Sequence, residues 1–451
     1  MPYADHVRSH LDALADAVID EGAPMWPSAL DVRTRRMPPA DHVPARVYRL
    51  IGAPRGSALY WDQPQVVAAV EFSRLFGDPR PARAVDACLR AFLEHCVDDE
   101  GVFRWANHNY FDLDERRVVP FAGGHHELRP LTPAWDLFHQ LDPRTTENYL
   151  RTIADRHVYD RRTGGFNRHD DRRRDHAFIE SGGVLVESLA WLYARAGDAD
   201  ALDLATRIAG YSFAHRGEGT GLLVNEPDHG RWDSRVATTE SGLWANCLLR
   251  AGRHAESDRF DEMARAVVRA YLESGYDAEA GRYAGQLDVA TGRAVVADEP
   301  GYWPGRFADP WNTGQWPTHD YPMELAEACI ACWRATGEAV FAEGIERWAG
   351  AALAAAPFAP GAPPDDWAYA ESYGRCIRFL DRAGRALEAP RWRRAALETA
   401  DHALDDLFVE GMFRGASNTN LYEAVDGVGF LLLALLELEA DAPLQLRALG
   451  W

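Results

Sequence analysis

Apolar residues recur every three or four positions along most of the chain, in stretches that short polar turns separate. This spacing places the apolar side chains on one face of a helix, and that face must be buried against a neighbour. The pattern therefore predicts fourteen helices joined by brief connections. They cover residues 3–20, 64–76, 80–96, 131–140, 144–157, 180–196, 199–213, 238–252, 257–273, 320–336, 338–355, 367–383, 389–406 and 421–438.

A turn motif repeats between these helices. It consists of a valine or tyrosine, an acidic residue, a polar turn with glycine, and a closing phenylalanine or tyrosine. Its copies lie roughly 60 residues apart, with one double-length gap, and a period of that size is typical of stacked supersecondary units. Each unit is predicted to be a pair of helices. The copies lie at 97–103, 159–166, 276–283 and 409–413, with a weaker version at 215–223.

The last predicted helix is apolar nearly all round, so it cannot be the polar cap that a linear array of repeats needs. Closure of the array against the first helix would bury it. We therefore predict an all-α fold, a closed (α/α) toroid of seven helical hairpins with six as the alternative, in a single domain over residues 1–451. The loops at one end should line a central pit, with the long connections 97–130 and 277–318 at its rim.

Composition excludes several classes of function. The net charge is −21, and no basic stripe accompanies it, so the chain is not a nucleic-acid binder. All 48 basic residues are arginine, which excludes Schiff-base chemistry and a P-loop lysine. Fifteen Trp, sixteen Tyr and eighteen Phe residues supply flat apolar surface of the kind that fills a core or stacks on sugar rings.

The segment 2–22 is amphipathic and has no apolar signal core. No stretch reaches about 18 consecutive apolar residues, the length that a membrane-spanning helix needs. From these features we expect a cytoplasmic protein with no membrane partner. The sequence does not indicate an oligomeric state.

Histidines and acids concentrate in two segments, 103–130 and 164–183. Imidazole and carboxylate together suit a borderline divalent ion such as zinc, manganese, iron or nickel. Two histidines and one glutamate would leave open positions for water or substrate. In an extended segment, His125 and Glu127 would face one side and His126 the other.

The order of these residues resembles polysaccharide lyase family 2, the pectate and exopolygalacturonate lyases. The resemblance covers the segment 108–169 at the level of motifs and the whole chain only in architecture. It implies an (α/α)7 toroid that binds a manganese-type ion through His108, Glu127 and His169. It also implies that Arg168, directly before the last ligand, is the Brønsted base.

A uronate lyase must remove a poorly acidic proton next to a carboxylate, so a cation near that carboxylate assists the reaction. Arginine is an unusual base, since its ordinary pKa is above about 12. Arg168 could equally clamp the substrate carboxylate, and His176, His126 or Tyr110 would then take the proton. We accordingly predict Arg168 and His176 as catalytic residues, and an acidic carbohydrate as the substrate.

A second cluster, 299–327, is rich in Pro, Gly and Trp, so it cannot be a core helix. We expect its aromatic side chains to stack on sugar rings across the pit from the predicted metal ligands. Polar residues of the first segment should contribute further contacts. The predicted substrate-binding residues are Asn107, Tyr110, His126, Arg129, Trp311, Trp316, His319 and Tyr422.

Three other functions fit a helical toroid. A six-hairpin glycoside hydrolase, such as an unsaturated-uronyl hydrolase, needs two carboxylates that flank one bond. A sugar 2-epimerase of the (α/α)6 class would use paired histidines, and a non-enzymatic carbohydrate-binding toroid would need neither. No carboxylate pair stands out among the candidates Asp112, Asp309, Asp320, Glu371 and Glu423.

Overall fold

A computed structural model gives the fold. It describes residues 2–39, 55–105, 109–120, 126–171, 173–174, 177–227, 233–296, 305–311, 322–363 and 367–445. All fourteen predicted helices are present among these residues. They are α1 Tyr3–Asp20, α2 Gln63–Phe76, α3 Arg80–His95, α4 Trp135–Leu141, α5 Pro143–His157, α6 Ile179–Ala196, α7 Ala199–Ala214, α8 Thr238–Ala255, α9 Asp258–Gly275, α10 Pro322–Thr336, α11 Ala339–Ala354, α12 Ala370–Ala386, α13 Pro390–Leu407 and α14 Val428–Ala440.

The even-numbered helices form an inner ring, and the odd-numbered helices pack around it. α6, α8, α12 and α14 are buried on nearly all sides, whereas the outer helices bury one face only. Contacts between successive inner helices run from α6 through α8, α10, α12 and α14 to α2. The short helix α4 joins α6 to α2, because Trp135 Nε1 donates to Ser188 and the backbone N of Ala134 donates to Gln63.

The ring closes at the C-terminal helix. α14 packs against α12, α2 and α1, so its all-round apolar surface is covered on every side. The backbone N of Gln445 donates to Glu71 of α2 at 3.1 Å, so the contact between the C-terminal segment and α2 continues beyond the end of α14. The predicted closed all-helical toroid is thereby confirmed. The hairpin number, seven or six, stays a prediction, since α4 is only seven residues long.

The described strands are two or three residues long and form sheets of two or three strands, so the toroid has no central sheet in its described part. The repeated turn motif forms β-hairpins at 158–166, 276–283 and 408–413, and a single bridge joins Val97 to Phe103. The strands are β1 Ala29–Asp31, β2 Gly56–Ser57, β3 Tyr110–Asp112, β4 Arg117–Val119, β5 Val158–Asp160, β6 Gly165–Phe166, β7 Arg235–Ala237, β8 Tyr276–Asp277, β9 Arg282–Tyr283, β10 Gln286–Asp288, β11 Phe408–Val409, β12 Met412–Phe413 and β13 Leu421–Glu423.

The two ends of the toroid differ in the length of their connections. Each inner helix from α2 to α12 is joined to the next outer helix by a turn of a few residues, such as Gly77–Pro79, Gly197–Asp198 or Gly337–Glu338. Each of α2, α4, α6, α8, α10, α12 and α14 is preceded by a longer connection, and all of the described strands lie in these connections. The long connections therefore gather at the N-terminal ends of the inner helices. Those ends carry positive partial charge, which favours anionic groups.

Two predicted helices begin four or more residues later than expected. Residues 131–134 precede α4 without helical structure, because the chain includes Pro133 and the backbone N of Ala134 bonds Gln63 of α2. Residues 421–423 form β13, which pairs with β1, and a 3₁₀ turn at 424–426 follows. Gly427, at φ 73°, then redirects the chain into α14. Apolar periodicity could not reveal either start, since the competing partners lie far away in sequence.

Glycines bring the inner helices close together near their N-terminal ends. A Cβ atom on Gly242 would overlap the backbone of α10, one on Gly374 the backbone of α14, and one on Gly429 the backbone of α2. No larger residue fits these places without a backbone shift. The inner ring is thus narrowest at the end where the long connections lie.

Two further findings concern the class of protein. Among the described residues, no helix has both the length and the apolar character needed to cross a membrane. All six cysteines are buried and unpaired as disulfides, which agrees with a role in core packing.

Candidate functional site

Two segments of the long connections pair to build the candidate site. Glu127 and His169 face each other in an antiparallel bridge, and the backbone N of Leu128 donates to the carbonyl of Arg168 at 2.9 Å. Directly opposed residues in an antiparallel pair project to the same face. Two of the three predicted metal ligands are therefore brought together by the backbone. The third, His108, lies outside the described residues.

The Glu127 carboxylate is the centre of the site. Its Oε1 atom contacts the Arg168 guanidinium, lies 3.1 Å from Nη1 of Arg129 and 3.7 Å from Nε2 of His169. Burial opposes ionisation of this carboxyl group. The charges of Arg168 and Arg129, with a smaller contribution from His169, outweigh burial and hold the pKa of Glu127 well below its usual range. Glu127 is thus an anion held between two cations.

The two arginines are fixed by aromatic rings. The Arg129 guanidinium lies 5.6 Å from the centroid of Trp61, and that of Arg168 lies 5.2 Å from the centroid of Phe178. Such cation–π contacts restrict the guanidinium planes and hold their charge in a partly dehydrated site. Arg129 is 3% exposed, so little water screens it. Both arginines share the one carboxylate of Glu127.

Glu180, in the first turn of α6, adds a second carboxyl group beside Arg168. Burial raises its pKa, although the charges of Arg168 and Arg129 act in the opposite direction. Its Oε2 atom and Nε1 of Trp61 are buried atoms that lack hydrogen-bond partners within the described part of the chain. They leave one acceptor and one donor at the site for a ligand.

His126 faces away from this site. Its Nδ1 atom lies 2.8 Å from Nε2 of His157, and its Nε2 atom lies 3.0 Å from the Tyr149 hydroxyl, both on α5. Burial lowers the pKa of His157 to about 4, so the His157 imidazole is neutral near pH 7, and His126 is held in a buried network with it. The placement corrects the predicted roles of His126 in substrate binding and as an alternative base.

Two other predicted substrate contacts are also buried. Trp311 is 4% exposed, its Nε1 donates to the carbonyl of Ala352 at 2.7 Å, and its ring packs against Phe358 and Tyr373. It is part of the packing of α11 and α12, which corrects the expectation of a sugar-stacking ring. Tyr422 is 1% exposed.

Tyr422 forms a buried pair with Asp62 at the N-terminal end of α2. The tyrosine hydroxyl donates to Oδ1 at 2.5 Å, and the Ser28 hydroxyl donates to Oδ2 at 3.4 Å. Burial raises the pKa of Asp62 to about 7, although both hydrogen bonds lower it. The hydroxyl of Tyr422 is therefore engaged within the protein, which corrects its predicted contact with substrate.

The remaining predicted residues divide into two groups. Tyr110 lies in β3, is half-buried and pairs with Val119. Five others lie outside the described residues, and their predicted roles stay predictions. These are Asn107, His108, His176, Trp316 and His319.

The sequence reasoning missed two members of a set of first-turn glutamates. Glu180 and Glu240 open α6 and α8, and Glu371, already a candidate for the hydrolase alternative, opens α12; each is followed by serine. The first two stand in identical Glu-Ser-Gly triplets 60 residues apart, a repeat signal that could have identified them. Acids are favoured at helix N-terminal ends, where the amide dipoles are positive. They place carboxyl groups along the narrow end of the inner ring.

A divalent metal fits the donor chemistry of the site in part. Glu127 supplies an ionised carboxylate and His169 an imidazole on the same face, which are the ligand types of a borderline ion. Within the described ranges, no group of three His, Cys, Asp or Glu side chains comes together, so the third donor has to come from elsewhere. The resemblance assigns that position to His108.

Solved structures with a similar fold include three proteins that handle sugars. An inactive variant of the alpha-1,6-mannanase GH76A of Salegentibacter sp. HEL1_6, in complex with alpha-1,6-mannotetrose, is 10% identical, with a TM-score of 0.50 over 98% of this chain and 99% of that chain. A D-mannose isomerase is 8% identical, with a TM-score of 0.51 over 95% and 96%. A sugar epimerase from ruminal bacterium is 10% identical, with a TM-score of 0.51 over 77% and 85%.

At such low identity these likenesses define the class of fold alone, a helical toroid of the (α/α) type. The sequence gives a sharper comparison. The family described as periplasmic pectate lyase matches residues 63–181, a segment that contains Glu127, Arg168 and His169. The resemblance to polysaccharide lyase family 2 is thereby confirmed. The expected cytoplasmic location is wrong, because the matching family is described as periplasmic.

Proposed function

We propose that this chain is a carbohydrate-processing enzyme that cleaves a uronate-containing oligo- or polysaccharide by β-elimination. One observation carries the proposal. Glu127, Arg168 and His169 converge within the segment that matches pectate lyases. The similar toroids that act on sugars support the broader assignment to carbohydrate chemistry.

Elimination requires a proton and a leaving group to depart from neighbouring carbons. A base removes the C5 proton of the uronate, the electron pair forms the C4–C5 double bond, and the C4–O4 bond breaks. The departing O4 then receives a proton. The difficult step is the first, because negative charge spreads onto a carboxylate that is already anionic. Positive charge at that carboxylate lowers the barrier.

Arg129 and Arg168 supply such charge from the protein itself. Their guanidinium groups flank one side of the pit, and a planar guanidinium matches a carboxylate in a bidentate pair. Glu127 holds both arginines in position. A uronate carboxylate at this point would meet the guanidinium of Arg168 in a partly dehydrated site, with the buried Arg129 adding positive charge nearby.

Glu127 and His169 would hold a divalent ion, with His108 as the third ligand that the resemblance implies. When bound, such an ion neutralises the substrate carboxylate and stabilises the charge that develops in the transition state. The bridge between 127 and 169 orients both donors before any ion binds. Manganese is the ion that the resemblance implies.

The base is Arg168 in the pattern of the family. His126 is removed from this role by its buried bonds to His157 and Tyr149. Tyr110 and His176 stay as alternatives. If Arg168 instead clamps the substrate carboxylate, its loss raises KM as well as lowering kcat.

Product chemistry tests the reaction. Incubation of the purified protein with several polyuronates should produce absorbance in the band of unsaturated uronates. Arg168→Ala should reduce that rate by about 10²–10⁴, the usual contribution of a positioned base. Arg173→Ala is the matched control, since Arg173 lies in the same loop but is 73% exposed and pairs only loosely with Asp171. Products that are ordinary reducing sugars without the double bond would overturn the lyase assignment.

Metal analysis tests the ligand set separately. His169→Ala should remove bound metal and activity together, whereas Arg168→Ala should leave the metal content nearly unchanged. His126→Asn is the control for loss of an imidazole in the same pair of segments. Full metal content in His169→Ala would exclude this residue as a ligand.

A hydrolase is the second candidate, and one observation favours it. Glu371 is buried at the N-terminal end of α12, and burial raises its pKa to about 8, although Arg375 donates to its Oε1 at 2.7 Å. A carboxyl group that keeps its proton near neutral pH can act as a general acid on a glycosidic oxygen. If the chain is a hydrolase, Glu371→Gln abolishes cleavage. If it is a lyase centred on Arg168, the same variant retains most of its rate.

A further inference from the structure

The first turn of α6 runs alongside the segment that carries Arg168. A Cβ atom on Gly182 would overlap the ring of Phe166, so α6 and the end of β6 are in direct contact there. Closer to the start of α6, the guanidinium carbon of Arg168 lies 5.2 Å from the centroid of the Phe178 ring. Glu180 stands between these two contacts in the sequence, so both of them hold its position relative to Arg168.

Glu180 is the carboxyl group of the site that a saccharide can reach. It is half-buried, so part of the residue stays open at the end of the inner ring where the long connections lie. Glu127 and Arg129, by contrast, are only 7% and 3% exposed. Among charged groups, Arg168 has the largest effect on the Glu180 carboxyl group, so the two are neighbours. A ligand that meets Arg168 in the pit therefore meets Glu180 as well.

One oxygen of Glu180 has no hydrogen-bond partner. Its Oε2 atom is covered, and nothing in the described part of the chain donates to it. An ionised oxygen without a donor loses far more solvation energy on burial than a protonated one. Burial accordingly raises the pKa of Glu180, although Arg168 lowers it. In its protonated form the carboxyl group is a hydrogen-bond donor, so this turn presents an O–H group that the described fold does not use.

The same surroundings stabilise the anion that forms once this proton is given up. Arg168 supplies a positive charge beside the carboxyl group, and the amide dipoles at the start of α6 are positive at this end. Glu180 can therefore hold a proton in the resting site and release it when negative charge develops on a neighbouring oxygen. A general acid requires this combination.

The proposed elimination needs such a donor at O4. Breaking the C4–O4 bond leaves the electron pair on a sugar oxygen, and a sugar alkoxide departs slowly unless it is protonated as it leaves. C4 is the carbon next to C5, whose proton goes to Arg168 in the proposed reaction, so a donor beside Arg168 is close to O4. Glu127 does not fit this role, because it is ionised between two arginines. Glu371 lies on α12, which α8 and α10 separate from α6.

We propose that Glu180 is the general acid that protonates the departing O4, an inference that rests on the function proposed above. As the C4–O4 bond breaks, its electron pair stays with O4 and takes the proton from Oε2 of Glu180. The leaving saccharide departs as a neutral alcohol, and Glu180 is left as a carboxylate. The base has gained the C5 proton in the same turnover. Transfer of one proton from the base to Glu180, directly or through water, restores both groups.

The dependence of the rate on the leaving group tests this role in the purified full chain. Two probes are built on the uronate that the unchanged chain cleaves fastest. One is the unmodified oligosaccharide, and the other carries 4-nitrophenoxide at C4, which leaves readily without a proton. Glu180→Gln should lower kcat on the oligosaccharide by about 10²–10⁴ and leave the rate on the nitrophenyl probe nearly unchanged. Arg168→Ala should slow both probes, because both must lose the C5 proton.

A conservative variant and a matched control complete the test. Glu180→Asp keeps an acid in the first turn of α6 and should retain more of the rate on the oligosaccharide than Glu180→Gln. Asp200→Asn removes an exposed acid from the first turn of the outer helix α7, which begins at the opposite end of the toroid. It should change the rate on neither probe.

The outcomes separate this inference from the reaction on which it rests. An equal loss on both probes in Glu180→Gln would overturn the role of Glu180 as the acid, because a structural defect or a role as the base would slow both. An unchanged rate on the oligosaccharide would overturn it as well. If the unchanged chain forms no unsaturated product from any uronate, the proposed function fails, and this inference fails with it.

Discussion

At the scale of single residues, burial decides which groups can work chemically and which are structural. His10 of α1 is fully buried, its Nδ1 atom accepts a hydrogen bond from the backbone N of Phe413 at 3.1 Å, and its Nε2 atom faces Gln65. Burial lowers the pKa of His10 from 6.5 to about 4, although the Gln65 contact raises it. The folded chain keeps this imidazole neutral where an unfolded chain would protonate it.

The pH dependence of stability should show this histidine. The unfolded state binds a proton near pH 6.5 and the folded state only near pH 4, so stability falls as pH falls through that window. The loss from one such group is about 3 kcal/mol at pH 4. His10→Asn keeps an acceptor for Phe413 but does not titrate. Urea unfolding at pH 7 and pH 4 should show a smaller fall in the free energy of unfolding for the variant than for the unchanged chain. An equal fall for both proteins would contradict the assignment.

Trp311 should act through stability rather than through saccharide length. Trp311→Ala removes a ring that is buried against Phe358 and Tyr373, and such a truncation costs about 3–5 kcal/mol. Unfolding experiments measure the loss of stability. Binding of short and long oligouronates tests the alternative, a role of Trp311 in stacking on the saccharide. We expect both lengths to be affected equally at temperatures where the variant is folded. A selective loss for long saccharides would restore the stacking role.

Sequence reasoning succeeded for residues whose surroundings are local. Strand alternation correctly separated Glu127 from His126, because the two faces of an extended segment follow from adjacent positions. Sequence reasoning failed for Trp311, because its partners Ala352 and Tyr373 lie 41 and 62 residues further on. A Pro- and Gly-rich segment gave no sign that distant helices would cover that ring.

At the scale of elements, close approach of the inner helices is the feature most sensitive to substitution. Gly374→Ala would force a Cβ atom into the backbone of α14, and we expect a loss of about 1–3 kcal/mol in the free energy of unfolding. Gly350→Ala on the outer helix α11 is the matched control, since a Cβ atom there meets nothing within 4 Å. That change should stabilise the chain by about 0.5–1 kcal/mol. Equal effects at both sites would show that helix propensity alone is measured.

The helices could be predicted from sequence because each has its own apolar period. Their starts could be predicted only where the cap is local. α7 begins at Asp198, whose side chain accepts from the backbone N of Ala201, and both residues lie in the same turn. The start of α14 depends on β13 pairing with β1, nearly 400 residues away in the chain, and no local signal reports that pairing.

At the scale of the whole molecule, closure of the ring should make unfolding cooperative. Leu14 of α1 is 1% exposed in the core that closes the ring, and Leu14→Ala should cost about 2–5 kcal/mol. Linear repeat arrays can lose terminal units separately, because each unit contacts only its neighbours. Here the terminal helices contact each other, so far-UV circular dichroism and tryptophan fluorescence should give coincident transitions. A separate early transition for the variant would contradict closure.

The unequal connections at the two ends of the toroid also bear on how such a chain changes over evolutionary time. The inner ring is locked where glycines bring backbones together, so its width cannot adapt to a new saccharide without disrupting several helices at once. Residues can be inserted between an outer helix and the next inner helix without disturbing that ring. Homologues with different saccharide preferences should therefore differ in length mainly in those connections, and libraries for directed evolution are best placed there.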